Sequence, residues 1–144
     1  MSEATLQAAL VDALSGVVRD GSILVNDYLT PQTASMDYAP WLIIETADDV
    51  SMTTGGSFTT PSTEWGLYVS LLAYRGGQDE KTHLDAFQAL RQRVLTALAE
   101  AAPLVAIRGV TTAGAIAPYF NRDGNPDPDS LFQRLAVTVV EYGV

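Results

Sequence analysis

Our prediction of the fold starts from residues 63–75, which have the sequence TEWGLYVSLLAYR. Apolar side chains occupy every second position, which is typical of a β-strand: Trp65, Leu67, Val69, Leu71 and Ala73. The other face carries Tyr68, Leu72 and Tyr74, so it also needs cover. A strand with apolar residues on both faces is predicted to be central in its sheet, with helices on one side. We expect a loop or a neighbouring subunit on the other side.

A first helix is predicted over residues 3–18, because leucine, alanine and valine recur there at intervals of three and four residues. Ser2 is the expected N-cap, since its hydroxyl can accept a hydrogen bond from a free amide of the first turn. Gly21 stands where a glycine commonly follows a helix. The apolar stripe predicts that this helix packs on the sheet.

A second helix is predicted over residues 79–101 by the same spacing of apolar side chains. Either Asp79 or a capping box at residues 82–85 would satisfy its first amides. Pro103 is expected to end the helix, since proline has no amide hydrogen to donate inside one.

Further strands are predicted over residues 22–28, 41–46, 104–111 and 131–142, with Gly109 as a candidate bulge. Together with the two helices they predict an α+β fold: a mostly antiparallel mixed sheet with two helices packed on one face. The 144 residues correspond to a single domain that spans positions 1–144.

Composition excludes several classes of function. The chain has no cysteine and a formal net charge of −9, from 8 Lys+Arg against 17 Asp+Glu. Disulfides and thiolate metal sites are therefore excluded, and clustered basic residues that would hold phosphates are not expected. The N-terminal sequence has no basic region followed by an apolar run, and no stretch is long and apolar enough to span a bilayer. We expect no membrane association.

Catalytic candidates are few, and we predict that the chain is not an enzyme. The one histidine, His83, falls in the first turn of the second helix and is expected to be exposed. Four carboxylates are candidates for acid–base chemistry: Glu45, Asp48, Asp49 and Glu64. Glu45 shares a strand face with apolar residues, so partial burial is one alternative and solvation at the strand end is the other. No sequence pattern places a second carboxylate opposite it, and no cofactor is expected.

A calcium loop is the metal site that the acidic turn at residues 121–130 superficially suggests. Its alternating oxygen ligands are weak candidates: Asp123, Asn125, Asp127 and Asp129. An EF-hand loop counted from Asp123 needs glycine at its sixth position and glutamate at its twelfth, where this chain has Pro128 and Arg134. A plain turn between strands is the alternative that this comparison favours.

Four features of the chain resemble the tail-terminator and tail-completion proteins of long-tailed bacteriophages. The first is the amphipathic helix beginning Leu6-Gln7-Ala8-Ala9-Leu10 and leading to a short strand at 23–28. The second is the strand that begins Pro40-Trp41-Leu42 after a variable segment. The third is the strand at 65–74 followed by the helix at 84–98, and the fourth is the closing strand at 131–142 after the turn at 121–130.

This resemblance implies a structural virion protein without catalysis. Members of the family assemble as a ring, usually a hexamer of identical copies, on the last ring of the tail tube. The implied partners are further copies of the chain, the tail tube protein and a head or neck connector protein, with DNA passing through the ring without specific binding. The implied location is the tail or neck of the virion, after assembly in the host cytoplasm.

Two polar segments are the contact elements that we infer under this resemblance: a loop predicted over residues 47–62 and the turn at 121–130. Connections between adjacent strands are usually far shorter than the first of these. The candidate interface residues are Asp49, Thr53, Thr54, Gly55, Gly56, Phe58, Thr60, Arg122, Asp123 and Asn125.

Two alternatives to a tail terminator remain open. A head–tail connector protein would occupy the portal side of the same junction. A small soluble ligand-binding module, or an enzyme of unknown specificity, would use the partly covered sheet face as a pocket.

Overall fold

The fold is α+β, as predicted, and the part of the chain that the structure describes has two helices and a mixed sheet. The computed structural model describes residues 3–27, 40–46, 54–57, 60–119, 125–127 and 129–142. The helices are α1 (Glu3–Leu14) and α2 (Glu80–Val105). The strands are β1 (Ile23–Val25), β2 (Trp41–Thr46), β3 (Thr54–Ser57), β4 (Thr60–Tyr74), β5 (Ile107–Thr112) and β6 (Ser130–Tyr142).

The sheet is mostly antiparallel, and β4 is central in it, which confirms the prediction from the alternation in residues 63–75. The strand order is β1-β2-β4-β6-β5, and β3 also pairs with β4. Among these pairings only β1 with β2 is parallel. Thirteen consecutive residues of β4 pair with β6, from Ser62 opposite Tyr142 to Tyr74 opposite Ser130. This pairing forms the longest ladder of the sheet.

Both helices pack on one face of the sheet and form the main core with it. The helices contribute Leu6, Leu10, Leu14, Phe87, Leu90, Val94 and Leu98. The strands contribute alternate residues: Leu42, Ile44, Leu67, Val69, Leu71, Leu135, Val137 and Val139. This packing follows from the periods of the two structures, because helical spacing and strand alternation each place their apolar side chains on one side.

The opposite face is partly closed by the chain itself. Trp41, Leu72 and Tyr119 form a second buried cluster there, with Phe132 packed against it. Tyr119 comes from the irregular segment after β5, and its ring centroid lies 5.2 Å from that of Phe132. Ile43 is also fully buried. A loop segment therefore supplies part of the cover that the sequence pattern requires.

The helix boundaries differ from the predicted ones at the two C-terminal ends. α1 stops at Leu14 rather than residue 18, and Gly16 follows with φ +90°, a conformation that favours glycine. Gly21, the predicted terminator, instead lies in the turn before β1. α2 continues to Val105, so the prediction that Pro103 stops it is wrong by two residues. Proline removes one hydrogen bond there, and the helix ends two residues later, where Ala106 is the C-cap with φ 59°.

The start of α2 and the bulge in β5 agree with the predictions made from the sequence. Asp79 is the N-cap, because its carboxylate accepts a hydrogen bond of 2.7 Å from the Thr82 amide. This hydrogen bond lowers the pKa of Asp79. In β5 the pairing with β6 shifts between Ile107 and Gly109, which leaves Arg108 as the extra residue of a bulge. The predicted cap of α1, Ser2, lies outside the described residues.

The polar loop predicted over residues 47–62 is wrong in part. Thr54–Ser57 is the strand β3, and β4 begins at Thr60 rather than residue 63. The sequence TGGS followed by TPST contains no apolar alternation, so the strand pattern is invisible there. Backbone hydrogen bonds between the two strands hold the pairing instead.

Candidate functional site

Two separate strands, β2 and β3, pair with the same side of β4 at different points, so the hairpin that β4 forms with the preceding chain is interrupted. β2 pairs with the second half of β4, where Thr46 lies opposite Leu67. β3 pairs with the first residues of β4, where Thr54 lies opposite Thr63. Seven residues, 47–53, connect Thr46 to Thr54, whereas three residues separate their partners on β4. The two pairings therefore differ in register by four residues, and β2 and β3 are separate strands.

The end of this hairpin, made of β3 and residues 60–63, is a distinct part of the sheet. Its eight residues are threonine, serine, glycine and proline, with no large apolar side chain to bury. The pairing of β4 with β6 begins only at Ser62, so among the described strands Thr60 and Pro61 pair with β3 alone. We call β3 and residues 60–63 the polar hairpin.

The polar hairpin contains four of the predicted interface residues. Thr54, Gly55 and Gly56 lie in β3, and Thr60 begins β4. Asn125 is exposed and lies in the described part of the second predicted contact element. Five further candidates lie outside the described residues: Asp49, Thr53, Phe58, Arg122 and Asp123.

Among the weak metal candidates, Asp127 has a structural role. Its carboxylate oxygen accepts a hydrogen bond of 3.0 Å from the Asp129 amide, and its carbonyl oxygen accepts from the Ser130 hydroxyl at 2.9 Å. Its own amide donates to the Tyr119 carbonyl oxygen. These bonds form an Asx-type turn into β6. In the part of the chain that the structure describes, no three potential metal-ligating side chains come together.

Tyr74, at the end of β4, has a strongly raised pKa. Burial is the largest cause that raises the pKa of Tyr74 from 10.0 to about 12, and the charges of Asp127 and Tyr119 contribute the rest. Burial disfavours the phenolate because the charged form loses its hydration. This burial agrees with the packing of Tyr74 against the second buried cluster.

We expect the titration of Tyr74 to destabilise the fold at high pH. The folded protein holds this proton more tightly than the unfolded chain, so the stabilisation is complete below pH 10 and is lost as the pH rises towards 12. The ultraviolet absorbance of tyrosinate should show a late-titrating component that Tyr74→Phe reduces by one group. Asp127→Asn should lower this pKa only in part, because burial is the larger cause. A wild-type titration without a late group would contradict the burial of this phenol.

Two of the carboxylates considered for acid–base chemistry are in ion pairs. Glu45 Oε1 lies 3.3 Å from Arg134 Nη2, and the guanidinium carbon of Arg134 lies 5.2 Å from the centre of the Tyr68 ring. Glu64 Oε2 lies 3.4 Å from Arg108 Nη1 near the sheet edge. The side chain of Glu45 is 21% exposed, so the alternative of partial burial is correct. Asp48 and Asp49 lie outside the described residues.

The prediction that His83 is exposed is wrong, and His83 and Arg91 both take part in the packing of α2. His83 is 5% exposed, and its Nε2–H donates to the Ala73 carbonyl oxygen over 3.1 Å. Arg91 donates to Gln133 Oε1 over 2.8 Å, and Gln133 Nε2 donates to the Gly114 carbonyl oxygen over 3.0 Å. These bonds join α2, β6 and the segment after β5.

A groove between α2 and the turn after α1 is a surface that the sequence did not indicate. Its volume is about 450 Å³, and we call it the helix groove. Its lining is Gly16, Val17, Ala89, Gln92, Arg93, Thr96, Ala97 and Glu100. The small residues Ala89, Thr96 and Ala97 on α2 were the sequence signal that could have indicated this groove. The ending of α1 at Leu14, which opens the groove, was not predictable from periodicity.

Comparison with known proteins leaves the family open. The sequence matches no protein-family model, and no curated protein is similar enough to count as a relative. In the part of the chain that the structure describes, neither helix has the combination of length and apolar character needed to cross a membrane.

Proposed function

We propose that this chain is a structural virion protein of the tail-terminator type. It would assemble as a hexameric ring on the end of the tail tube, stop growth of the tube and join the tail to the head or neck connector. The observation that carries the proposal is the polar hairpin. A hairpin end without large apolar side chains has little apolar surface to bury in a core, and polar segments at the end of a sheet commonly make contacts with partners.

The sheet edges support a head-to-tail ring. β1 and β5 lie at opposite ends of the strand order, and the two strands differ in length and sequence. A closed ring requires two different surfaces on each copy that meet in the same way at every contact. Edge strands offer unpaired backbone groups for such contacts. The bulge at Arg108 makes the pairing of β5 irregular. We therefore place the contact between neighbouring copies at the polar hairpin rather than at β5.

The net charge of −9 is compatible with DNA passing through the ring. Acidic walls repel phosphates over about a Debye length, roughly 8–10 Å at moderate salt. The proposal therefore includes a bore lined by acidic or neutral side chains, without specific DNA binding. Further copies of the chain, the tail tube protein and a head or neck connector are the partners in this proposal.

Deletion of residues 53–60 tests the role of the polar hairpin. The deletion removes β3 and the first residue of β4, and it leaves the β4–β6 ladder from Ser62 onward intact. We expect a folded protein that no longer limits the length of tubes assembled from the tail tube protein of the same genome. Electron microscopy of tube lengths and of ring-shaped caps at tube ends would measure this.

The matched control is Leu84→Ser on α2, a surface change at a side chain that is 39% exposed and lies outside the polar hairpin. This variant should cap tubes as the wild type does. Equal capping by the deletion variant would refute the role of the polar hairpin. Absence of wild-type protein from tube ends would refute the tail-terminator proposal. Binding to isolated portal complexes instead of tubes would favour the head–tail connector, and binding of a metabolite by a monomer would favour the ligand-binding module or enzyme.

A further inference from the structure

We propose that the helix groove binds a second copy of this chain, with the two α2 helices antiparallel across a two-fold axis. This inference is independent of the tail-terminator proposal, because it concerns the free protein and a different surface. Its basis is the arrangement of small and charged side chains along the outer face of α2.

The groove admits a second helix beside α2. Its floor includes Val17 and Ala97, which are half-buried, and Ala89 and Thr96 beside them are small and exposed. Packed helix axes lie about 8–10 Å apart, and the lower end of that range requires small side chains at the contact. The space of about 450 Å³ next to these residues is where side chains of a partner helix would lie.

Arg93 and Glu100 supply charges that a second copy complements. They are seven residues apart, which is close to two helical turns, so both lie on the same face of α2. Both are exposed, and neither has an ion-pair partner in the described part of the chain. The rise of the helix separates them by about 10 Å along its axis, which is too far for them to pair with each other.

A two-fold axis passing between Thr96 and Ala97 makes this surface complementary to itself. Arg93 and Glu100 are equally distant from that point along the sequence. In an antiparallel pair of α2 helices, Arg93 of each copy therefore faces Glu100 of the other. A two-fold contact repeats each interaction, so the dimer gains two ion pairs, each between an arginine of one copy and a glutamate of the other.

Charge reversal in the full-length chain tests this contact. Sedimentation equilibrium of the wild type should show a concentration-dependent dimer. Arg93→Glu and Glu100→Arg should each raise the dimer dissociation constant by about tenfold or more, because each change turns two attractive pairs into two repulsive ones. The double variant Arg93→Glu with Glu100→Arg should restore dimerisation to within about threefold of the wild type, since opposite charges again face each other.

Lys81→Glu is the matched control, because it changes the net charge as Arg93→Glu does, at an exposed position of α2 outside the groove. It should leave the dissociation constant unchanged. A monomer at all concentrations, equal effects of Lys81→Glu and Arg93→Glu, or failure of the folded double variant to restore the dimer would overturn the inference. A ring-sized species insensitive to both reversals would overturn it and leave the tail-terminator proposal standing.

Discussion

Replacing Phe87 with alanine should lower the free energy of unfolding by about 3–5 kcal/mol. Phe87 is fully buried in the main core, where α2 packs on the sheet. The substitution removes the transfer free energy of the ring and leaves a cavity that the neighbouring β-sheet fills only in part. Since the whole free energy of unfolding of such a domain is about 5–15 kcal/mol, the loss is a large fraction of it. Urea unfolding followed by far-ultraviolet circular dichroism would measure the change.

The matched control for Phe87→Ala is Leu84→Ala on the same helix. Leu84 is 39% exposed, so its truncation should cost less than about 1 kcal/mol. The two variants remove apolar side chains three residues apart and differ chiefly in burial. Equal losses of stability in both would contradict the orientation of α2 on the sheet.

Replacing Tyr119 with alanine should lower the free energy of unfolding by about 3 kcal/mol. Tyr119 is 6% exposed and packs with Trp41 and Leu72, although it lies in an irregular segment. Its backbone is also fixed, because its amide donates to the Ser130 hydroxyl over 2.8 Å. Its loss should therefore remove cover from the face of the sheet opposite the helices. Urea unfolding would give the stability, and binding of a dye that fluoresces on apolar surface would report the uncovered face.

Tyr119→Phe is the control for this second substitution. It keeps the ring that packs on Phe132 and removes only the hydroxyl, so its effect should stay within about 1 kcal/mol. A loss as large as that of the alanine variant would assign the stabilisation to the hydroxyl rather than to apolar burial. An alanine variant as stable as the wild type would contradict closure of this face by Tyr119.

Local periodicity explains which parts of the fold were predictable. Alternation in residues 63–75 predicted a central strand, and the structure places β4 between β2 and β6. Helical spacing predicted α2, and Asp79 was one of two predicted caps. The candidate bulge at Gly109 is confirmed by the register shift beside it. Each of these features depends on side-chain chemistry within a few residues, which the sequence contains in full.

Features that depend on distant partners were not predictable in the same way. β3 carries no apolar pattern, and its strand geometry depends on backbone pairing with residues 60–63. His83 and Arg91 look like surface residues on their helix, but their partners are Ala73 and Gln133 on other elements. Polar side chains of this kind become buried only when a hydrogen-bonding partner arrives from elsewhere in the fold.

Composition and short-range periodicity specify the fold class, the central strand and the acidic charge balance of this protein, so these features could be read from the amino-acid sequence. Three features emerge from the folded structure alone: the polar hairpin at the end of β4, the cover of the second sheet face by Tyr119 and the helix groove. Those outcomes depend on register between strands and on contacts between residues far apart in the chain. Tyr119 and Leu72, for example, are separated by two secondary structure elements before they meet in one cluster.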